Sequence, residues 1–183
     1  MFNAFYNPVE AVIDAKKFGD WAGTIGVLAL TAVLLVLAPI IAMKTFMWFV
    51  ALGAIVFLAV AVFLGALFLK IVLVILGAKK PGYFETVTAI TYSLAPLATA
   101  LLVGSILMLI PVLGIALAGL LVAVGGVAMG ATHIRAIKEL CQTDLLMAVV
   151  AGWVVMSMGM SLGYLIGLGY SFMTMGMGAF ALI

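Results

Sequence analysis

Residues 21–43 have the sequence WAGTIGVLALTAVLLVLAPIIAM, which carries no charged side chain over its whole length. An α-helix rises 1.5 Å per residue, so about 20 apolar residues are needed to cross the hydrocarbon core of a bilayer. The stretch is therefore long enough to span a membrane, and it predicts a fold built from transmembrane helices.

The composition of the whole chain agrees with this prediction. Of the 183 residues, 68% are apolar and only 8% are charged, whereas soluble domains have about 45–50% apolar and about 25% charged residues. Too few charges are present to cover a surface facing water, which argues against a soluble enzyme and against disorder. A net charge of +2 without a clustered basic domain argues against a nucleic-acid partner.

Four more apolar stretches have the length of a span. They run from about Phe46 to Leu76, from about Phe84 to Ile110, from Val112 to about Ile134, and from about Leu145 to Gly169. The sequence thus predicts an all-α integral membrane protein with a five-transmembrane-helix bundle over residues 21–169. The apolar tail at 170–183 is short for a sixth span, and it either extends the fifth helix or folds back.

Residues 1–20 contain several charges and no apolar run of signal-peptide length, so we expect them to be retained. Asn7, Pro8 and Glu10 form a helix start, with a capping residue, a proline at the first helical position and an acidic residue in the first turn. Val12 and Ile13 then fall on one side, and Asp14 on the other. This pattern predicts a short amphipathic helix in the membrane interface.

The basic residues orient the predicted bundle. If the five spans alternate, one side receives Lys16, Lys17, Lys79, Lys80, Arg135 and Lys138, and the other receives only Lys44. Basic residues near span ends collect on the cytoplasmic side, so the N-terminus is expected inside and the C-terminus outside. The expected contact surface for lipid headgroups or a protein partner comprises Lys79, Lys80, His133, Arg135, Lys138, Glu139 and Asp144.

Two features inside the spans are candidates for function. A polar seam on the third span is formed by Glu85, Thr88, Tyr92, Pro96 and Thr99, which share one side of a helix. The seam either bonds backbone carbonyls and bridges helices or lines a path for a solute or ion. Lys70 near the end of the second span either extends to the interface or pairs with an anion, preferably Glu85.

The sequence contains no nucleophile–base motif, phosphate loop or paired catalytic carboxylates, so we expect neither enzymatic activity nor a cofactor. The polar segment from His133 to Asp144 matches no zinc spacing, and a solvated helix end is the favoured interpretation, with Glu139 near Arg135. Met173, Met175 and Met177 provide a weak alternative, a copper(I) site that requires a non-helical tail.

Glycines at four-residue spacing predict close contacts between helices. Gly126 and Gly130 lie on the fourth span, and Gly159, Gly163 and Gly167 lie on the fifth. Such surfaces let helix backbones approach closely in lipid. We expect them to pack within the chain, and a homodimer interface is the alternative.

The stretch from Lys70 to Ala148 resembles the Yip domain family of membrane proteins. The resemblance is carried by the helix start Tyr83-Phe84-Glu85, by Tyr92, Ser93 and Pro96 in a Tyr-Ser-x-x-Pro signature, and by the polar segment before the last span. It implies five spans, a cytoplasmic N-terminus and an outer or lumenal C-terminus. Eukaryotic relatives are linked to Rab-type small GTPases and vesicle traffic, and the short lead-in here is similar to that of prokaryotic members.

Two functions remain open from the sequence. The first is a non-enzymatic protein that organises the bilayer or binds a lipid or protein partner at its cytoplasmic face. The second is a small transporter or channel that uses the polar seam, acting as a homo-oligomer because five spans with short loops leave little room for a pore.

Overall fold

The computed structural model describes residues 5, 7–18, 21–44, 48–79, 81–110, 112–159 and 161. These residues form helices joined by short turns. In chain order the helices are α1 (Pro8–Phe18), α2 (Trp21–Met43), α3 (Trp48–Ile75), α4 (Tyr83–Leu107), α5 (Leu113–Leu140) and α6 (Leu145–Gly159).

Four of these helices, α2 to α5, are long and apolar enough to cross a membrane. They correspond to the first four predicted spans, and α2 has the predicted bounds. The helix that contains the fourth predicted span is longer than that span, because α5 continues six residues beyond Ile134 to Leu140. The fifth predicted span coincides with the shorter apolar helix α6 as far as Gly159, and its remainder and the 170–183 tail lie outside the described residues.

The distribution of exposed apolar and buried polar side chains in the bundle is the reverse of that in a soluble protein. Large apolar side chains are exposed on every helix from α2 to α6, and examples are Leu37, Phe57, Val103, Val127 and Leu146. Hydroxyl-bearing side chains are buried instead, as listed here: Thr24, Thr31, Thr86, Thr88, Thr91, Ser93, Ser105 and Thr132. Water would penalise this arrangement and lipid favours it, so these are the features of an integral membrane protein.

Helix α4 occupies the centre of the bundle. Within an 18-residue apolar stretch of each helix, 44% of the residues are buried in α4, compared with 28% in α2, 22% in α3 and 17% in α5. It packs against α2, α3 and α5, most extensively against α5. Many of its buried positions are small, including Ala89, Ala95 and Ala98, which lets three neighbours approach one helix.

Helices α4 and α5 run antiparallel and approach each other closely at Gly125. A Cβ atom placed there would collide with the methyl group of Ala100 and would lie 3.4 Å from the carbonyl oxygen of Pro96. Closer to the connecting turn, a Cβ atom at Gly104 would lie 3.6 Å from that of Ala118. Only glycine therefore fits at position 125 without moving α4.

The glycine pair predicted to pack inside the chain faces a different direction. A Cβ atom at Gly126 or Gly130 would meet no other part of the described chain within 4 Å. Gly125, one position earlier, makes the contact with α4 instead. Packing of Gly126 and Gly130 within the chain or in a homodimer therefore stays a prediction.

Helices α2 and α4 run parallel, in contact from their first turns. The rings of Trp21 and Phe84 meet edge to face with centroids 4.8 Å apart. One turn further, the hydroxyls of Thr24 and Thr88 lie 3.1 Å apart. Helix α3 joins this group through Tyr83, whose hydroxyl donates a 3.0 Å hydrogen bond to the carbonyl of Phe63.

Helix α1 packs against α4 and α5 at one end of the bundle. Its buried residues Ala11 and Val12 belong to the same apolar cluster as Ile137 and Leu140 of α5, and Ala78 packs against that cluster. Three segments that carry lysine or arginine therefore meet at this end: α1, the turn around Lys79, and the end of α5. We call this the basic end.

Candidate functional site

The polar seam predicted on the third span lies on α4, and its members differ in burial. The side chains of Thr88 and Tyr92 are buried, whereas Glu85, Pro96 and Thr99 are half-buried. Thr88 shares its hydrogen bond with Thr24, as described above. The hydroxyl of Thr99 donates to the carbonyl of Ala95 at 2.9 Å, within its own helix. Bonds of both predicted kinds, to a neighbouring helix and to backbone, are therefore present.

Glu85 lies at the first turn of α4, at the basic end. Its carboxylate occupies the space that a side chain at Gly82 would need, so glycine at the start of the helix makes room for it. The same carboxylate lies close enough to Cys141 to affect the thiol. Burial raises the pKa of Cys141 from 9.0 to about 12, and the charge of Glu85 adds to the rise. The thiol is therefore neutral at physiological pH and unsuited to act as a nucleophile.

Lys70 does not form an ion pair with Glu85, which was one of the two alternatives for this residue. Both Lys70 and Glu85 are described, and no salt bridge joins them. Lys70 is half-buried next to Leu69, a fully buried residue on the packed face of α3. The physical reason is position around the helix: Leu69 and Leu73 take the inward face of α3, so Lys70 is turned to its edge.

His133 was predicted at the contact surface, and this is wrong because the side chain is only 3% exposed. Its Nδ1 lies 3.2 Å from the hydroxyl of Ser93 on α4. Ser93 donates its own proton to the carbonyl of Ile90 at 2.7 Å, so Nδ1 is the donor in the bond between the helices. His133 thus ties α5 to α4, and its ring also lies against Gly152 of α6.

Nε2 of the same imidazole is buried, and no described residue bonds to it. In the tautomer set by Ser93, this nitrogen carries a lone pair. The sequence did not indicate that His133 is buried, because it lies only two residues from the charged Arg135. No hydrogen-bond partner for its side chain stands nearby in the chain. Its partner Ser93 is 40 residues away.

A surface pocket of about 290 Å³ lies at the basic end, where α5 meets the start of α6. Its lining combines apolar and charged side chains: Ala131, Ile134, Arg135, Lys138, Glu139 and Leu145. Arg135 and Lys138 are exposed, and Glu139 is half-buried. The helical spacing of α5 explains the grouping, since residues three and four apart share a face. The predicted contact residues Arg135, Lys138 and Glu139 are therefore brought together.

The other predicted contact residues lie beside this pocket or outside the described chain. Asp144 is exposed and caps α6, accepting a 2.7 Å hydrogen bond from the backbone N–H of Met147. Lys79 is exposed in the turn after α3, and Lys80 is not among the described residues. Within the described ranges no group of three or more histidine, cysteine, aspartate or glutamate side chains is arranged to hold a metal ion.

The remaining predicted positions lie at or beyond the end of α6. A Cβ atom at Gly159 would meet nothing within 4 Å in the part of the chain that is described. Gly163 and Gly167, and the methionines Met173, Met175 and Met177, fall outside the described residues.

Comparisons of the chain with protein-family models, with curated proteins and with solved structures find no match. The class of protein therefore follows from the fold of the described residues, which are helical, include four helices suited to span a membrane, and form a charged pocket at the basic end.

Proposed function

We propose that the chain is a non-enzymatic membrane protein that binds a lipid or protein partner through its basic end and thereby organises the membrane around it. The observation that carries this proposal is the pocket where Arg135 and Lys138 flank apolar side chains. Each basic residue beside an anionic membrane surface contributes about 1 kcal/mol of attraction. The pocket thus offers charge for an anionic group and apolar surface for its attachment.

The proposed topology has five spans, and the fifth is the predicted one from about Leu145 to Gly169. The basic end faces the cytoplasm, so the N-terminus is cytoplasmic and the C-terminus lies outside the cell membrane. The support is that the basic segments gather at one end while Lys44 stands alone at the other end of α2. Protease protection of tags at the two termini tests it, because accessibility from the same compartment would contradict an odd number of spans.

We also propose membership of the Yip domain family, in its prokaryotic branch. The support is the Tyr-Ser-x-x-Pro signature on α4 and the contacts that its residues make with α5. Ser93 bonds His133 of α5, and the carbonyl of Pro96 lies against Gly125. If the signature residues hold α4 against α5, that contact would constrain the residue types at positions 93 and 96. The trafficking role of eukaryotic relatives suggests a related role in membrane organisation.

Transport through the polar seam is the alternative, and the packing of α4 gives it less support. Thr88 has no exposed surface and bonds Thr24, so a solute path there would require α2 and α4 to separate. Reconstituted vesicles provide the test. Solute or ion flux that is lost in Glu85→Gln would favour transport over the binding function.

The binding function is tested by photo-crosslinking the full chain in native membranes. A photoreactive amino acid replaces Lys138 or Arg135 in turn, and Lys44 provides the matched control at the opposite end. We expect a lipid or protein adduct at the basic end that is absent at position 44. If neither position at the basic end captures a partner, the proposed function is wrong.

A further inference from the structure

The connection between α4 and α5 has an unusual composition. Its residues 108–112 have the sequence MLIPV, and the longer stretch 106–131 contains no charged, hydroxyl or amide side chain. Turns that face water are rich in glycine, asparagine, aspartate and serine. The other connections between consecutive helices each carry a charged residue, namely Asp20, Lys44, Lys79 and Asp144. We call residues 108–112 the apolar turn.

The backbone of the apolar turn bonds within the protein. A turn is stable in hydrocarbon only where its N–H groups find partners in the chain, because no water is present to bond them. The N–H groups of Met108, Leu109 and Ile110 donate to carbonyls three or four residues earlier, at 2.9–3.1 Å. Proline at position 111 has no N–H. The N–H of Gly114 donates back to the carbonyl of Ile110 at 3.1 Å. These donors therefore need no water.

The side chains of the apolar turn continue the surface that faces lipid. Leu109 and Ile110 are about half exposed, and Val112 is 82% exposed. Exposed apolar side chains flank the turn on both helices, namely Val103 and Ile106 on α4 and Leu113 and Ile115 on α5. The apolar surface of α4 thus passes through the turn to that of α5 without a polar boundary.

The lengths of the two helices place the apolar turn at the far edge of the hydrocarbon core. At 1.5 Å per residue, α4 rises about 33 Å from Glu85 to Leu107, and α5 rises about 33 Å from Leu113 to Arg135. An average tilt of about 20° shortens this to about 31 Å, and the core is about 30 Å thick. With Glu85 and Arg135 at one edge of the core, both helices end where acyl chains meet headgroups.

We propose that the apolar turn is a surface for lipid acyl chains, and that the α4–α5 hairpin turns back among them without presenting a loop to the water beyond. At this edge the surroundings are set by the side chains of the turn, and these favour hydrocarbon over water. The inference does not rest on the proposed function, which uses the opposite end of the bundle. A soluble partner on the far side of the membrane would then find no binding surface at this connection.

The test is site-directed spin labelling of the full chain in vesicles of dioleoylphosphatidylcholine. Cys141→Ala first removes the native thiol, and Leu109→Cys or Val112→Cys then places a nitroxide on the apolar turn. Collisions of the nitroxide with molecular oxygen report hydrocarbon, and collisions with a neutral water-soluble nickel complex report water. We expect frequent oxygen collisions and a loss of nickel collisions at both positions.

Two further labelled positions calibrate the measurement. Gln142→Cys provides the control for water, because Gln142 is exposed in the turn between α5 and α6 beside Asp144. Val103→Cys provides the control for lipid, because Val103 is exposed on the apolar surface of α4. Thermal unfolding of each variant shows that it is folded. The positions 109 and 112 are tested independently, so that one variant that fails to fold does not prevent the measurement.

Two results would overturn the inference. Nickel collisions at position 109 or 112 that are as frequent as those at position 142 would place the turn in water. Infrequent collisions with both reagents would show that protein covers the turn, either a second copy or another part of the chain. Collision rates at 109 and 112 that match those at position 103 would support the contact with acyl chains.

Discussion

Thr24 and Thr88 face each other across the contact between α2 and α4, with their hydroxyl oxygens 3.1 Å apart and both side chains buried. The two residues are 64 positions apart in the chain. Their bond lies one turn from the contact between Trp21 and Phe84. It fixes the position of α2 along the helix axis relative to α4.

The strength of this bond can be measured by a double-mutant cycle. Valine has the shape of threonine without the hydroxyl, so Thr24→Val and Thr88→Val remove the bond with little change in packing. We expect a coupling of about 0.6 kcal/mol, the average for hydrogen bonds between helices in membranes. The measurement is the free energy of unfolding in detergent mixtures, and additive single mutants would show that the bond contributes nothing.

Neighbouring glycines on α5 should respond oppositely to alanine. Gly125→Ala forces a methyl group against Ala100, and overpacking of this kind costs about 1–3 kcal/mol. Gly126→Ala meets no described neighbour and gains helix propensity of up to about 1 kcal/mol. Thermal unfolding of both variants checks this. Equal stabilities would contradict the close approach of α4 and α5.

Ser93→Ala should destabilise the bundle by about 1–3 kcal/mol, because it leaves Nδ1–H of His133 buried without its acceptor. Ser105→Ala on the same helix is the matched control. That hydroxyl is also buried, but it donates to the carbonyl of Leu101 in its own helix. A loss of equal size in both variants would argue against a specific role of the His133 contact.

The thiol of Cys141 predicts how stability depends on pH. Its pKa is about 12 in the folded chain against an ordinary 9.0, so above pH 9 the unfolded chain loses this proton first. The unfolded state then binds fewer protons than the folded state, and stability falls as pH rises from 9 to 12. Cys141→Ala lacks this component. Over that range the free energy of unfolding of the wild type should therefore fall relative to that of Cys141→Ala. Parallel curves for the two proteins would contradict the raised pKa of the thiol.

The contribution of Glu85 to that pKa can be isolated. Glu85→Gln removes the negative charge near Cys141, so the pKa of the thiol should fall, although burial, the larger cause, still holds it above 9.0. The pH dependence of alkylation by a small neutral reagent measures this. Asp14→Asn removes a charge from α1 and serves as the control. An unchanged profile in Glu85→Gln would show that the carboxylate does not act on the thiol.

Hydropathy alone predicted the helices that are defined by a long, uninterrupted apolar run. Residues 21–43 form α2 with the predicted bounds, because an uninterrupted apolar run has one stable conformation in lipid. The end of α5 was harder to predict, since Arg135 and Lys138 suggested the end of the span. The helix continues because charged residues are good helix formers and Ala136, Ile137 and Leu140 still pack inward.

The partners across helices could not be predicted from the sequence. The seam on α4 was found from the angular spacing of Thr88 and Tyr92, but nothing local indicates that Thr24 faces Thr88. Likewise, nothing local indicates that His133 bonds Ser93 or that Gly125 contacts α4. Which face of a helix turns inward depends on all its neighbours, and spacing within one helix does not contain that information.

The rigid extension of α5 has a consequence for the bilayer in which the chain resides. Because Arg135 and Lys138 sit on the same continuous helix as Leu113, their separation cannot stretch as it would across a loop. A thicker membrane would draw the two cations toward hydrocarbon unless the helix became more upright, and a thinner one would tilt it. The proposed binding at the pocket should therefore vary with acyl-chain length, so that the length of α5 makes it sensitive to local bilayer thickness.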